Sequence, residues 1–162
     1  MVGSQDSLRK EAKAKSGVNK QNHVDVSVVI PYLDESESLP ELYKQITQSL
    51  SSTNWSYELI FVDDGSQDNG WDIINSFRKT DDRVSGMKFT RNFGKSQALH
   101  AGFERSQGEV VFTMDADLQD NPKELKALYN KLKSENLDLV SGWKKVRHDP
   151  LFTKTIPSRF YT

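Results

Sequence analysis

From Asp25 onward the chain alternates between two apolar patterns. Residues 26–30, 57–62, 84–89, 109–114 and 137–140 are short, nearly continuous apolar runs, several of them β-branched. Such runs predict strands buried on both faces. Between them, apolar residues recur at helical spacing: Leu39, Leu42, Tyr43, Ile46 and Leu50, then Trp71, Ile73, Ile74 and Phe77, then a third set within 96–106. Ser38-Leu39-Pro40-Glu41 has capping-box spacing with a proline in the first turn. Pro31 is expected to stop the first strand, Gly86 to weaken the third, and Gly108 to end the third helix. Asn121-Pro122-Lys123-Glu124 is expected to open a fourth helix, with Asn121 as its cap. Strand and helix in alternation predict an α/β fold, a mostly parallel sheet covered by helices.

Length, charge and cysteine usage narrow the class. The 162 residues suffice for one domain of ordinary size, and a net charge of −1 argues against a general nucleic-acid or anionic-membrane binder. The absence of cysteine fits a reducing compartment. No apolar run reaches the roughly 18 residues of a membrane span. Residues 1–24 read as a flexible polar leader, partly helical around 8–15. Residues 25–142 read as the core, and 143–162 as a basic segment that closes no element.

The candidate chemistry lies where the strands are expected to end. In open parallel sheets, ligands bind outside the carboxyl ends of the strands. The first strand leads into Pro31 and Asp34-Glu35, the second into Asp63-Asp64-Gly65-Ser66, and the fourth into Asp115-Ala116-Asp117. The third leads instead into Arg91-Asn92-Phe93-Gly94-Lys95. A parallel sheet would gather these loops into an acidic pocket with one basic wall. In an extended chain Asp115 and Asp117 would point the same way. Two carboxylates about 4 Å apart repel by roughly 4 kcal/mol at an effective dielectric near 20, and a hard divalent cation relieves that repulsion. Taken alone, the same triplet also describes a solvated acidic turn. A glycine-rich phosphate cradle is excluded: no G-x-G-x-x-G follows the first strand, and Phe89 stands where a P-loop ending in Gly94-Lys95-Ser96 needs glycine.

Together, the segments Val26-Ser27-Val28-Val29-Ile30-Pro31, Asp34-Glu35, Phe61 to Ser66, Arg91 to Lys95 and Met114 to Asp120 resemble family 2 glycosyltransferases of the GT-A fold. Within that family they are most similar to the polyprenyl-phosphate branch, the dolichyl-phosphate-mannose-synthase-like and bactoprenol-glucosyltransferase-like enzymes. The resemblance spans roughly residues 25–157. It implies a Rossmann-like sheet with helices on both faces, the nucleotide-binding half of such an enzyme. Pro31 and Asp64 would contact the nucleotide base with Glu35 beside them, Asp115 would lie near the ribose and cation, and Asp117 would be the principal metal ligand. Gln119 would be a third ligand, and Arg91 and Lys95 would orient the donor, with Asp117 and Arg91 as the catalytic pair. The implied cofactor is Mn²⁺ or Mg²⁺. The implied partners are a UDP- or GDP-linked sugar and a polyprenyl-phosphate acceptor, at the cytoplasmic face of a membrane reached mainly through sequence beyond Thr162. Ser141-Gly142-Trp143-Lys144 resembles the acceptor side. The sequence departs from the family's Tyr-Asn-Glu, reading Leu33-Asp34-Glu35, which adds a charge beside the base.

The implied reaction is displacement at the sugar's anomeric carbon. A polyprenyl phosphate, with a second pKa of about 6, is already anionic near neutral pH and needs no general base. A sugar hydroxyl would need one. Transfer to polysaccharide or protein, a non-catalytic nucleotide-binding module, and a metal-binding phospho-acceptor domain remain alternatives at this point.

Overall fold

In the computed structural model, which describes residues 23–142, four of the five apolar runs become strands. These are β1 (Val24–Tyr32), β2 (Tyr57–Asp63), β3 (Val84–Lys88) and β4 (Gly108–Thr113). All pair in parallel, in the order β3-β2-β1-β4. The connecting helices are α1 (Leu39–Ser51), α2 (Gly70–Arg78) and α3 (Lys95–Arg105). α1 and α2 carry the chain from β1 through β2 to β3, and α3 then returns it past β1 to β4. Parallel crossovers are right-handed, so this reversal puts α3 on the opposite face from α1 and α2. The side chains agree. Val29, Ile60 and Val62 pack with Ala98 of α3. Phe61, on the other face, meets Phe77 of α2 at 6.4 Å between ring centroids, and Phe77 stacks on Tyr43 of α1 at 4.4 Å. Phe61, Ile30, Leu59 and Ile60 are fully buried, each worth about 1.5–3 kcal/mol in transfer from water.

Several local expectations give way to tertiary context. Pro31 does not stop β1; it pairs in register with Val62. The β4 ladder has ended by Val29, whose carbonyl accepts the Met114 N–H at 3.1 Å. Alternate residues point to the same neighbour, so the N–H that Pro31 lacks would face a side with no partner strand. The capping box does not form either. Ser38 is already in helical conformation, and its hydroxyl donates to the Glu35 carbonyl (2.9 Å) and carboxylate (3.0 Å). Gly108 does not end a helix but begins β4, where an added Cβ would lie 2.3 Å from the Ser27 nitrogen.

The described residues divide into two compact units, one ending at Leu125 and the other beginning at Lys126. The predicted fourth helix opens as a 3-10 turn, Pro122–Glu124, where the Asn121 side chain accepts the Lys123 N–H as expected of a cap. It continues as α4 (Leu125–Ser134). The expected fifth strand at 137–140 is absent. Asn136 adopts a left-handed φ of 50°, and the Leu137 N–H donates to the Leu132 carbonyl at 2.9 Å, closing the helix in a Schellman-type end. That cap takes the first amide a strand would have used, and Leu139 is 81% exposed. Residues 1–22 and 143–162, with the predicted leader helix and basic segment, lie outside the described residues. Among the described residues no helix is long and apolar enough to cross a membrane.

Candidate functional site

The strand order reverses between β1 and β4, the switch point at which ligands enter open α/β sheets. A cavity of about 300 Å³ opens there, at the lower end of the size range of small-molecule sites. Six of the residues singled out from sequence line it: Pro31, Glu35, Asp64, Lys95, Asp115 and Asp117. Tyr32, Leu33, Asn92, Gly94 and Ala116 also line it. They were missed, although each adjoins a residue singled out in the same loop, and adjacency was the available signal.

The loops after β2 and β3 are built on each other. Asp64 is buried; its Oδ1 accepts the Phe93 N–H (2.8 Å) and its Oδ2 the Gly94 N–H (3.0 Å). Gly65 has φ +86°, and a Cβ there would sit 2.4 Å from the Arg91 carbonyl carbon. Only glycine meets both demands, so the two loops touch backbone to backbone. Asp63 takes a different task. It is fully buried, accepts the Ser66 N–H at 2.7 Å, and lies 3.2 Å from the Lys88 ammonium. The Tyr32 hydroxyl is held far above its ordinary pKa by burial first and the Asp63 charge second.

Asp34, where the resemblance implies asparagine, clamps loop to loop. At a left-handed φ of 55°, its carboxylate accepts the Gln67 N–H at 2.8 Å, and its own N–H donates to Ser66 Oγ at 3.0 Å. The added charge is thus spent on backbone outside the cavity lining. Asp68 receives the N–H groups of Ser36 (2.7 Å) and Gly70 (2.9 Å). Burial opposes its charge, but these bonds prevail and hold its carboxyl below the usual range.

The loop after β4 is a turn rather than an extension of the strand, which ends at Thr113. The Asp120 carboxylate accepts the Asp115 N–H at 2.9 Å, Leu118 takes a left-handed φ of 62°, and Asp117 Oδ1 accepts the Gln119 N–H at 3.0 Å. Asp115 and Asp117 therefore meet the cavity through turn geometry, not through strand alternation. Gln119 is exposed and lies outside the cavity lining. Arg91 also lies outside it; its guanidinium sits 4.8 Å from the Phe93 ring centre, and Phe93 packs edge-on to Phe89 at 5.5 Å. The side chain of Lys95, the first residue of α3, is ion-paired with Asp115.

Two carboxylates suit a hard cation that completes its shell with water and substrate phosphates, as Mg²⁺ usually does. Among the described residues no group of three or more histidine, cysteine or acidic side chains forms a self-sufficient cage. Asp115 and Asp117 therefore fit a cation shared with a phosphate-bearing ligand and do not fit a closed structural metal site.

Comparison with known proteins agrees with this geometry. Residues 27–161 match the family described as Glycosyl transferase family 2. The chain is 37% identical over 131 residues to an undecaprenyl-phosphate 4-deoxy-4-formamido-L-arabinose transferase of Salmonella choleraesuis, covering 80% of this chain and 40% of the relative. It is 34% identical over 138 residues to a dodecaprenyl-phosphate galacturonate synthase of Rhizobium johnstonii, covering 83% and 40%. The chain thus spans about 40% of the length of these curated relatives. Among solved structures, the mannosyltransferase PcManGT of Pyrobaculum calidifontis, in complex with GDP-Man and Mn²⁺, superposes with a TM-score of 0.58 at 21% identity, over 77% of this chain and 38% of that one. S. aureus TarS 1-349 in complex with UDP-GlcNAc gives 0.56 at 22%, over 69% and 32%. The fold is the GT-A fold of these neighbours, and the chain belongs to glycosyl transferase family 2.

Proposed function

We propose that this family 2 chain carries the donor site of an enzyme that moves a sugar from a nucleoside-diphosphate sugar to a polyprenyl phosphate at the cytoplasmic face of a membrane. The observation that carries the reading is the cavity at the β1–β4 switch point, whose lining combines four carboxylates with one lysine. Pro31, Glu35 and Asp64, at the ends of β1 and β2, would hold the nucleotide base. Asp115 and Asp117 would hold Mn²⁺ or Mg²⁺, which when bound supplies charge neutralisation for the departing diphosphate. Lys95 adds the one positive side chain in the lining. Gln119 and Arg91, outside the lining, are not assigned a contact with donor or cation. The lining contains no histidine, and an acceptor phosphate, anionic above a pKa of about 6, requires no general base. The relatives acting on undecaprenyl and dodecaprenyl phosphate favour that acceptor class over polysaccharide or protein.

Calorimetric titration of the chain with UDP and GDP, each with and without Mn²⁺, tests the donor site. One nucleotide is expected to bind, and only with Mn²⁺; no binding of either overturns the reading. Transfer of radiolabelled sugar to undecaprenyl phosphate by a chain extended past Thr162 tests the reaction. Nucleotide binding without transfer there would favour a non-catalytic module.

A further inference from the structure

Lys95 stands out in the electrostatics of the cavity, and the role inferred for it rests on the donor-site reading. It shares the lining with four carboxylates and is paired with one of them, Asp115. Asp64 is satisfied by two backbone N–H groups, and Glu35 accepts the Ser38 hydroxyl. Asp117 has a single backbone N–H, and Asp115 has Lys95. The charge of the β4 loop is therefore offset, within the lining, by one lysine that belongs to another loop.

The lysine is fixed at its backbone and held at its tip only by Asp115. Its backbone follows Gly94, whose N–H is pinned by Asp64, and opens α3. Its side chain is 57% exposed, and that of Asp115 37%. A lysine is a single charge on a four-carbon stem and can change partners without losing a fixed fork geometry, as an arginine would. Its position at the start of a helix is also one where the macrodipole disfavours a cation, so the carboxylate partner is what retains it there.

We infer that Lys95 is a resident counter-ion, which is paired with Asp115 and gives that carboxylate up when a divalent cation and the donor's diphosphate enter together. Lys95 sits on Asp115 Oδ1, and a divalent cation on that same oxygen would meet the ammonium at contact distance, where the two repel strongly, so a cation that takes Oδ1 displaces Lys95. Leaving costs it its partner unless an anion arrives, and the diphosphate is that anion. Lys95 thereby ties cation and nucleotide into one binding event, each strengthening the other by the same factor.

The test is Mn²⁺ binding, read from the paramagnetic resonance signal of free Mn²⁺, for the full chain with and without UDP or GDP, each reading corrected for the Mn²⁺ that the same nucleotide binds without protein. In the unaltered chain, nucleotide is expected to tighten Mn²⁺ binding by about tenfold or more. In Lys95→Met, Mn²⁺ alone should bind about tenfold more tightly than in the unaltered chain, and the gain from nucleotide should shrink by about the same factor, to what the shared diphosphate alone contributes. Lys95→Arg, which keeps the charge, should leave Mn²⁺ alone weakly bound. Equal or weaker binding of Mn²⁺ alone to Lys95→Met, with the nucleotide gain intact, overturns the counter-ion assignment. If nucleotide-dependent Mn²⁺ binding is absent, or survives Asp117→Ala, the donor-site reading itself falls and takes this inference with it.

Discussion

The two rims of the sheet are both rich in carboxylates and differ in how those carboxylates are satisfied. Where the strands begin, Asp81 accepts the Tyr43 hydroxyl at 2.8 Å and two nitrogens of Arg83 at 2.8 and 2.9 Å. Arg83 in turn lies 4.5 Å from the Tyr57 ring centre. Asp25 takes the Ser56 hydroxyl (2.8 Å) and N–H (2.7 Å), and Glu58 takes the Ser27 hydroxyl (2.6 Å) and the Gln107 N–H (2.7 Å). The bonds from Arg83 hold the Asp81 carboxyl below the usual range, and those from Ser56 do the same for Asp25. Burial, with Asp81 second, pushes the Tyr43 hydroxyl up to about 12. At the rim where the strands end, Asp34, Asp63, Asp64 and Asp68 are likewise bonded by their own chain, but in the loop after β4 Asp117 meets one N–H and Asp115 one half-exposed lysine. Charges saturated by their own chain hold a fold together; charges left short of partners in a cavity are arranged for something that comes from outside.

The sharpest way to break this contrast is Asp117→Ala. It should lower Mn²⁺-dependent nucleotide affinity at least about 100-fold, some 2.7 kcal/mol, while the melting temperature stays within about 2 °C, because the change removes an exposed charge and no packing. A large loss of stability with affinity retained would mean that the two rims do the same work.

Asp64 belongs to both categories, since it lines the cavity yet is buried and doubly bonded. Asp64→Ala strands two N–H groups, so stability should fall by about 2–3 kcal/mol and nucleotide affinity with it; a loss confined to affinity would show that the two loops hold together without it. Asp81→Ala should cost about 2 kcal/mol in denaturant unfolding and leave nucleotide binding within about twofold, as distant sites behave independently.

The smallest effect is a pH profile. Asp81 and Asp25 have folded pKa values below their unfolded ones, so their contribution is present above an unfolded pKa of about 4 and is lost as pH falls through the folded values. Urea midpoints should decline on acidification below about pH 5, and Asp81→Asn should flatten that decline. An unchanged acid limb in that variant would assign acid sensitivity to other carboxylates.

Much of this was legible in the chain because the signals were local and redundant. The continuous apolar runs of β1 and β2 permit no other burial than both faces, and parallel pairing then carries every strand end to one rim. Six of the eight residues singled out line the cavity for that reason. The misreadings arose where a local preference met a tertiary neighbour. Pro31 is tolerated because β4 has already ended, Ser38 turns from its helix to Glu35, and Leu137 gives its amide to a helix cap.

From sequence alone come the α/β class, the loops that line the cavity, and the family, since periodicity and residue type are properties of the chain as written. The tertiary structure alone decided the division of labour within those loops. Neighbouring Asp63 and Asp64 part company, one buried beside Lys88 and the other capping the loop before α3. Asp115 and Asp117 reach the cavity by a turn, Arg91 stays outside it, and Lys95 crosses to Asp115. These outcomes depend on which oxygen finds which donor across loops far apart in the chain, and the order of residues does not encode a distance.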